Sequence, residues 1–550
     1  MNRSMQSTVW RAGWVPAGLL LVLPHLLAAQ GPEGQTLEIP TAIASSDAPG
    51  SGDLVQELGL VVEEDKLDLT LEQAIALALD RNLTLVVQRY QRSQAIRGIE
   101  QNRGVYDFNV EATGGTSENT SPQSSALQAT GGAPLVTEGQ QTNITLSQLT
   151  RLGGTAQIFF NNSRGASSDR TEFFNPSYRI DFDVQYNQPL LSGFGREVTE
   201  RNLIVARTNA AISREDFQTQ VETVIQQTSD GYWNLVESLE QLKVAEESLS
   251  LAEDLHRMNQ IQVEVGTMAP LEVVTSEARV AARRQDIIRF RAQVEDNADA
   301  LRRLANLDQL WDVQLAPVTD PEAVHVPIDL GEAVRTALEF RPDVRRRRLE
   351  NETLELDARV ARNLKKPRLD LSARFGYNAL DGNLRDRDTG EILALGDYFN
   401  ALDQITSTQF NGWQLGFTFA YPLQNRDARA QSAIADLAAE QGEVVLDDLE
   451  LQILTEVRSA ARAVRTAIDQ IESAKVSRRL AERNLEAEQK RYENGLATTF
   501  QVLEIQEDLS EARRIEVSAV IQYRRAETAY FRAIGKLLEE VGVVLSDDLE

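Results

Sequence analysis

The 550-residue chain carries 83 acidic and 56 basic side chains, a formal charge of −27, and this acidic excess argues against nucleic acid or anionic lipid as a partner. It has no cysteine and three histidines, so disulfides, a lipidated N-terminal cysteine and thiol catalysis are excluded, and zinc chemistry or a Ser-His-Asp triad is poorly supplied. A mean hydropathy of −0.32 leaves no dominant long apolar helix. Arg3 and Arg11 precede the apolar run Val15 to Leu27, which ends in Ala28-Ala29-Gln30; residues 1–29 read as a secretory signal. Its removal takes two arginines and no acid, so the exported chain carries −29. His25 leaves with it, and His256 and His325 lack a second histidine at ligand spacing; His256 reads as an ordinary helix-surface residue. Residues 30–66, with Gly-Pro, Ala-Pro-Gly-Ser-Gly and Glu63-Glu64-Asp65, read as a flexible leader.

Leu71 to Leu79 reads as a short helix capped by Thr70, followed by a second helix to about Gln101. The hydrophobic period then drops to two: Tyr106, Phe108, Val110 and Ala112 alternate with polar residues and predict a strand. Residues 113–142 read as a Ser/Gly/Thr-rich loop. Ile144 to Phe160, with Gly153-Gly154 inside it, alternates again and is assigned to an extracellular hairpin or to a prolongation of the first strand. Tyr178, Ile180, Phe182, Val184 and Tyr186 form the next strand, closed by Gln188-Pro189. From Arg196 the chain is predicted helical to about Glu264, with a seam at Val244, Leu251, Leu255 and Met258 that Ser248 interrupts. Val265 to Pro270 breaks that helix, and a return helix runs from Leu271 to about Leu307. Residues 311–327 form a proline-containing connector.

The pattern then recurs. Leu330 to Leu338 matches Leu71 to Leu79 at an offset of 259, Tyr421-Pro422-Leu423 answers Gln188-Pro189-Leu190 at 233, and Gly495 answers Gly266 at 229. Residues 67–310 and 328–540 are thus two repeats, with 541–550 a tail. Arg345 to Arg348 at the start of a helix reads as a solvated or ion-paired face, since no glycine-rich loop accompanies it. Leu369 to Tyr377 alternates and pairs with Trp413 to Tyr421, a nine-residue strand with aromatics at both ends, as in a membrane strand bounded by interfacial belts. Past Arg426 the period becomes helical. Ile453, Val457, Ala460, Val464, Ala467, Ile471 and Ala474 form a coiled-coil seam on a rod of roughly 100 Å at 1.5 Å per residue. After Asn494-Gly495 a return helix spans about Phe500 to Leu538, with Ile505, Ala512, Ala519, Ala526 and Ala533 spaced by sevens.

Four strands of membrane length cannot close a barrel alone, because two open edges would face lipid with unpaired backbone groups. The chain is therefore expected to oligomerise. Two copies supply eight strands and three supply twelve; twelve leave a lumen, whereas eight are filled by side chains.

Two repeats of short helix, strand pair, unbroken helix, glycine turn and return helix resemble the TolC-type outer membrane efflux protein family. The resemblance covers about Leu67 to Leu538, and its most specific signals are the turns Val265 to Val274 and Asn494 to Leu503. It implies an α+β membrane protein: a homotrimeric channel-tunnel with a twelve-stranded transmembrane β-barrel, four strands per chain, continued by an α-helical coiled-coil barrel. It further implies an outer-membrane location in a Gram-negative bacterium, helices in the periplasm, a periplasmic adaptor and an inner-membrane transporter as partners, no cofactor or metal, and no enzymatic activity. By the same resemblance Gln501 and Glu504 match the periplasmic entrance constriction, with an amide in place of one carboxylate. Gly266, Thr267, Met268, Asn494, Gly495, Leu496, Ala497 and Thr498 would form the adaptor-docking tip turns, with the residues around the glycines exposed. Tyr178, Tyr186, Tyr377, Trp413 and Tyr421 would be girdle residues. The competing function is an exported structural coiled-coil or adhesin-like surface protein without channel activity, which leaves the aromatic-bounded strands unexplained.

Overall fold

The computed structural model describes residues 62–545 apart from 64–65, 126–127, 129–132, 308–310, 322–326 and 387–388. The expected signal, most of the leader and the last five residues of the tail lie outside the described residues. Thr70 starts α1 (Leu71–Arg81) with a reciprocal cap: its hydroxyl accepts from the Gln73 N–H at 3.2 Å, and Gln73 Oε1 accepts from the Thr70 N–H at 2.9 Å. Asn82 ends α1 and caps α2 (Leu83–Arg103) through the Thr84 N–H. After the strands come α3 (Arg196–Thr199), the long α4 (Arg201–Glu264) and the return helix α5 (Pro270–Leu304). The second half holds α6 (Leu330–Phe340), α7 (Pro342–Leu364), a short α8 (Tyr398–Thr406) between strands, the 68-residue α9 (Arg426–Glu493), α10 (Thr499–Ala533) and α11 (Leu537–Glu540). Among the described residues no helix is long and apolar enough to cross a membrane.

The rods follow their seams. Ile453, Val457, Val464, Ala467, Ile471 and Ala474 of α9 are buried against α10, where Ala512, Ala519 and Ala533 let the backbones approach. Burying each valine or isoleucine of such a seam contributes about 1.5–3 kcal/mol. The third seam position is Ala461 rather than Ala460, which is only partly buried. In α4 the buried line near the end is Val244, Ser248, Ala252, Leu255 and Asn259; Met258 lies off it. α7 crosses α9 at Gly442, where a Cβ would come within 2.7 Å of Asn351 Oδ1, and the Gly442 carbonyl accepts from Asn351 Nδ2 and Arg347. The arginine run is ion-paired: Arg345 reaches Glu215 at 3.2 Å, Arg346 reaches Asp216 at 3.6 Å and Arg347 reaches Glu350 at 3.0 Å. The connector is more ordered than its prolines suggest. β7 (Gln314–Pro317) pairs in parallel with β2 (Lys66–Leu69), itself paired with β1 (Val62–Glu63), which buries Leu67, Leu69 and Leu315 against Tyr232 and Trp233.

The strand region departs from expectation. The first strand, β3, is Asn109–Ser121, and Gly104–Tyr106 is a single 3-10 turn. The segment read as a loop holds the outer part of β3 and the start of β4 (Leu135–Leu149); the alternating piece 144–160 is the end of β4, a turn, and the start of β5 (Thr155–Ser167). With β6 (Phe174–Pro189), β8 (Arg368–Arg385) and β10 (Asn411–Ala420) they make one antiparallel sheet in the order β10-β8-β6-β5-β4-β3, and the short β9 (Ile392–Ala394) flanks β8. The four strands expected are therefore six. The pairing of Leu369 to Tyr377 with Trp413 to Phe419 is as the alternation predicts, with Leu369 opposite Phe419 and Phe375 opposite Trp413.

Candidate functional site

Both long helices end in the same backbone device. At the first turn the Thr267 N–H reaches back to the Gln262 carbonyl at 2.9 Å and the Gly266 N–H to Val263 at 3.0 Å; at the second, Leu496 bonds Arg491 at 2.8 Å and Gly495 bonds Tyr492 at 2.9 Å. These paired bonds need a left-handed residue at the penultimate step, and Gly266 and Gly495 supply it with φ of +76° and +72°. Beyond the turns the starts differ. α5 opens on Pro270 with no side-chain cap, whereas α10 opens on Thr498, whose hydroxyl accepts from the Gln501 N–H while Gln501 Oε1 accepts from the Thr498 N–H at 2.9 Å.

Thr267, Asn494, Leu496 and Thr498 are exposed with both glycines, but Met268 and Ala497 are half-buried, packed on a small core of Leu255, Tyr492, Val502 and Leu503. Those two residues support the turns rather than surface them. The tip's exposed apolar side chains are instead Ile261, Val265, Leu271, Val274, Leu496 and Phe500. Within the core, the buried Tyr492 hydroxyl donates to Oδ1 of Asn259, which is fully buried, and lies 3.4 Å from Thr499 Oγ1 and 3.9 Å from Met268 Sδ. Asn259 Nδ2 donates to the Glu272 carbonyl at 3.4 Å. Burial pushes the Tyr492 phenol above its ordinary range.

One turn further along, the return helices are joined by charge. Arg283 of α5, almost fully buried, bonds Glu507 of α10; Arg279 lies 3.6 Å and Arg514 3.7 Å from the same carboxylate. Burial would raise the Glu507 carboxyl, but these guanidiniums, Arg283 foremost, outweigh it and hold the group below its ordinary value. Glu504 is exposed and forms no ion pair among the described residues; Asp508, one turn on, is exposed on the same face, and Gln501 lies one turn before Glu504 with its side chain engaged in the cap. His256 bonds Ser276 Oγ through Nδ1 at 2.9 Å and so links α4 to α5. Asn259, Tyr492, Arg283 and Glu507 were not singled out from sequence. Asn259 had one legible signal, a polar residue continuing the Ala252–Leu255 seam.

At the other end of the chain the expected girdle residues share the apolar face of the sheet. Tyr377 stands opposite Phe182, Tyr186 opposite Ala373, and Trp413, the most exposed of the five at 76%, opposite Phe375; Tyr421 follows the last strand. Tyr178 sits further along, under α8, with Tyr398, Leu402 and Ile405.

An antiparallel sheet with one apolar face, continued by helical hairpins of roughly 100 Å, is the build of a β-barrel membrane protein with a helical extension. The outer membrane efflux protein family model matches residues 74–307 and again 333–536. The chain belongs to that family. It is 24% identical over 429 residues to the pyoverdine export outer membrane protein OpmQ of Pseudomonas putida, covering 75% of this chain and 80% of that protein, and 23% identical to OpmQ of Pseudomonas aeruginosa over matching shares. Among solved structures it is similar to the outer-membrane channel OprN, with a TM-score of 0.62 at 16% identity over 85% of this chain and 90% of that one. It is also similar to the Campylobacter jejuni CmeC outer membrane channel, with 0.59 at 16% over 92% and 94%.

Proposed function

We propose that the chain is the outer-membrane exit duct of a tripartite exporter: a homotrimer whose sheets close into one barrel and whose rods form a periplasmic tube. The repeats 67–310 and 328–540, joined by 311–327, build one protomer. The tip turns dock a periplasmic adaptor, an inner-membrane transporter supplies the energy, and passage is passive, without catalysis or cofactor. The observation that carries this reading is the pair of apolar surfaces a single chain leaves uncovered. Leu83, Val87 and Tyr90 line one face of α2, and Ile434, Leu437, Val444 and Leu451 line one face of α9, all exposed, while both margins of the sheet stay unpaired. Three copies around an axis cover both. A ring of three Glu504 side chains then places like charges close together and favours cations at the entrance. The relatives named for pyoverdine export make that compound the first cargo to test.

The test is the mass and heat-modifiability of the detergent-extracted protein from outer-membrane fractions, followed by planar-bilayer conductance. A heat-sensitive trimer that conducts is expected. A soluble monomer or dimer without conductance would overturn the duct and leave the coiled-coil surface protein standing.

A further inference from the structure

The two strands that sequence alternation misplaced, β4 and β5, lie in the middle of the wall of the sheet. Across the order β3 to β10, one rung of paired residues reads Val110, Leu146, Ile158, Val184, Phe375 and Trp413. Every strand places an apolar side chain on the same face, β4 and β5 included. The neighbouring rung reads Asn109, Ser147, Gln157, Gln185, Arg374 and Gln414, polar throughout and on the opposite face. A slip of one residue in either inserted strand would put its polar set among the apolar ones, so the six strands share one register of inside and outside.

The sheet also curls toward the polar face. A concavity of about 530 Å³ near its outer end is lined by Gly115, Gln141, Ser163 and Arg179, which face one another across β3, β4, β5 and β6 on that side. The apolar rung is therefore on the convex side, where a barrel meets lipid.

The turn that joins β4 to β5 is built into the fold rather than hung from it. Its Leu152 carbonyl accepts from Gln188 Nε2 at 3.1 Å and from the Gly195 N–H at 3.4 Å, and Arg151 reaches the buried Glu200 at 3.4 Å. Gly153 has a φ of +91°, and a Cβ there would lie 2.7 Å from the Gly193 carbonyl; a Cβ on Gly154 would lie 2.4 Å from the Tyr186 hydroxyl. Both residues must be small for the turn to seat on the corner between β6 and α3.

Exposure is greatest at the margins, although Ile144, Ile158, Val184 and Phe375 on the inner strands are exposed as well. All of β3 but Ser121 and all of β10 but Gly416 is exposed, while the strands between are largely half-buried. Because the sheet is antiparallel with an even number of strands in its path, β3 of one copy runs opposite to β10 of the next, the direction an all-antiparallel ring requires.

We propose that each chain gives six strands to the barrel, so that β3 pairs with β10 of a neighbouring copy and three copies close an eighteen-stranded wall. This rests on the trimeric duct proposed above and changes its bore. At a strand spacing of about 4.8 Å and a tilt of about 40°, eighteen strands enclose a backbone cylinder about 36 Å across, against about 24 Å for twelve. The outer-membrane exit then resembles a porin-sized aqueous lumen, and the narrow point of the duct lies at the helical end.

The chain's lack of cysteine makes the test clean. Single substitutions Ile144→Cys, Leu146→Cys and Ile158→Cys, and their neighbours Thr145→Cys, Ser147→Cys and Gln157→Cys, are read with a water-soluble maleimide on trimers reconstituted in phospholipid vesicles. The first three are expected to be protected at least tenfold relative to the second three. A pair, Asn109→Cys with Gln185→Cys, reports the alternative: with β4 and β5 in the wall these residues stand three strand spacings, about 14 Å, apart and form no disulfide. Uniform labelling of all six single variants together with an Asn109–Gln185 disulfide, in a trimer that still conducts, would overturn the eighteen-stranded wall and leave the duct. Absence of trimer and of conductance in the unsubstituted chain would overturn both.

Discussion

At the tip, two turns of the same backbone are furnished with different side chains. Gly266 and Gly495 close their helices with equivalent hydrogen bonds, yet at the offset that relates them Val263 answers Tyr492, Glu488 answers Asn259, Thr275 answers Glu504, and an uncapped Ala269-Pro270 answers the Thr498 cap. The backbone repeats because ending a rod is the same problem twice. The side chains diverge because the two hairpins must bind each other, and a buried hydrogen bond between unlike partners needs a donor on one and an acceptor on the other. Tyr492 and Asn259 are that pair, 233 residues apart in the chain.

The largest effect is expected where this division of labour is removed. Tyr492→Ala deletes the centre of the tip core and strands Asn259, a change of about 3–5 kcal/mol by large-to-small precedent. It should appear as faster amide exchange in both tips, 255–275 and 485–505, with the sheet unaffected. Tyr492→Phe keeps the packing and loses only the bond, about 1–3 kcal/mol. If exchange rises in the second tip alone, the hairpins are not joined through this residue.

The glycines give the symmetric half of the comparison. No atom lies within 4 Å of a Cβ placed on Gly266 or Gly495, so a side chain meets backbone strain and nothing else. Gly266→Ala and Gly495→Ala should each cost about 1–2 kcal/mol of local tip stability, and the same amount in both, by exchange or by protease nicking at the turn. Gly153→Ala carries the same kind of strain plus a carbonyl clash, and should cost more than either. The Thr498 cap gives the asymmetric half: Thr498→Ala should loosen α10 by about 1 kcal/mol, with Ala269→Ser at the start of α5 as the converse experiment, gaining a similar or smaller amount.

These contrasts also mark what was legible in the sequence. Helix ends were readable because Thr70, Gly266 and Gly495 declare themselves by residue type, and the α9 seam because a buried face imposes its period. The segment 113–142 was not, because a stretch that is polar on both faces does not alternate: Thr113, Thr116, Glu118, Asn119, Gln140 and Gln141 lie on either side, and read as a loop although they pair in full register. Gln501 was readable in two ways. The family resemblance places it at the entrance, while the Thr-x-x-Gln spacing that caps α1 at Thr70 occurs again at Thr498 and assigns its side chain to the cap. Tyr492, which bonds Asn259, and Arg283, which bonds Glu507, lie 233 and 224 residues away from them, and no local pattern names them.

The charge link between the return helices adds a pH dependence to the tip. Because the folded Glu507 carboxyl is held below its ordinary value, its contribution is complete above the unfolded pKa of about 4.3 and is lost as the pH falls through the lower folded one. Acidification below about pH 4 should therefore loosen α5 from α10, read as rising exchange in 279–286 and 504–514. Glu507→Gln should abolish that acid step while leaving the Tyr492 contacts in place.

The smallest structural effect is expected at Glu504, and it separates the entrance from the scaffold. Its carboxylate is exposed and has no ion-pair partner among the described residues, so Glu504→Gln removes no contact and should leave trimer stability within about 0.5 kcal/mol of the parent. If three such groups ring the entrance, the substitution lowers cation preference in planar-bilayer reversal potentials, most at low salt, where screening over a Debye length is weakest. Thr275, its counterpart in the first half, bonds the Leu271 carbonyl at 3.0 Å and carries no charge; Thr275→Glu would place a second acid at the equivalent step. A larger cation preference on that change would show both return helices facing the passage, whereas none would assign the entrance to α10 alone.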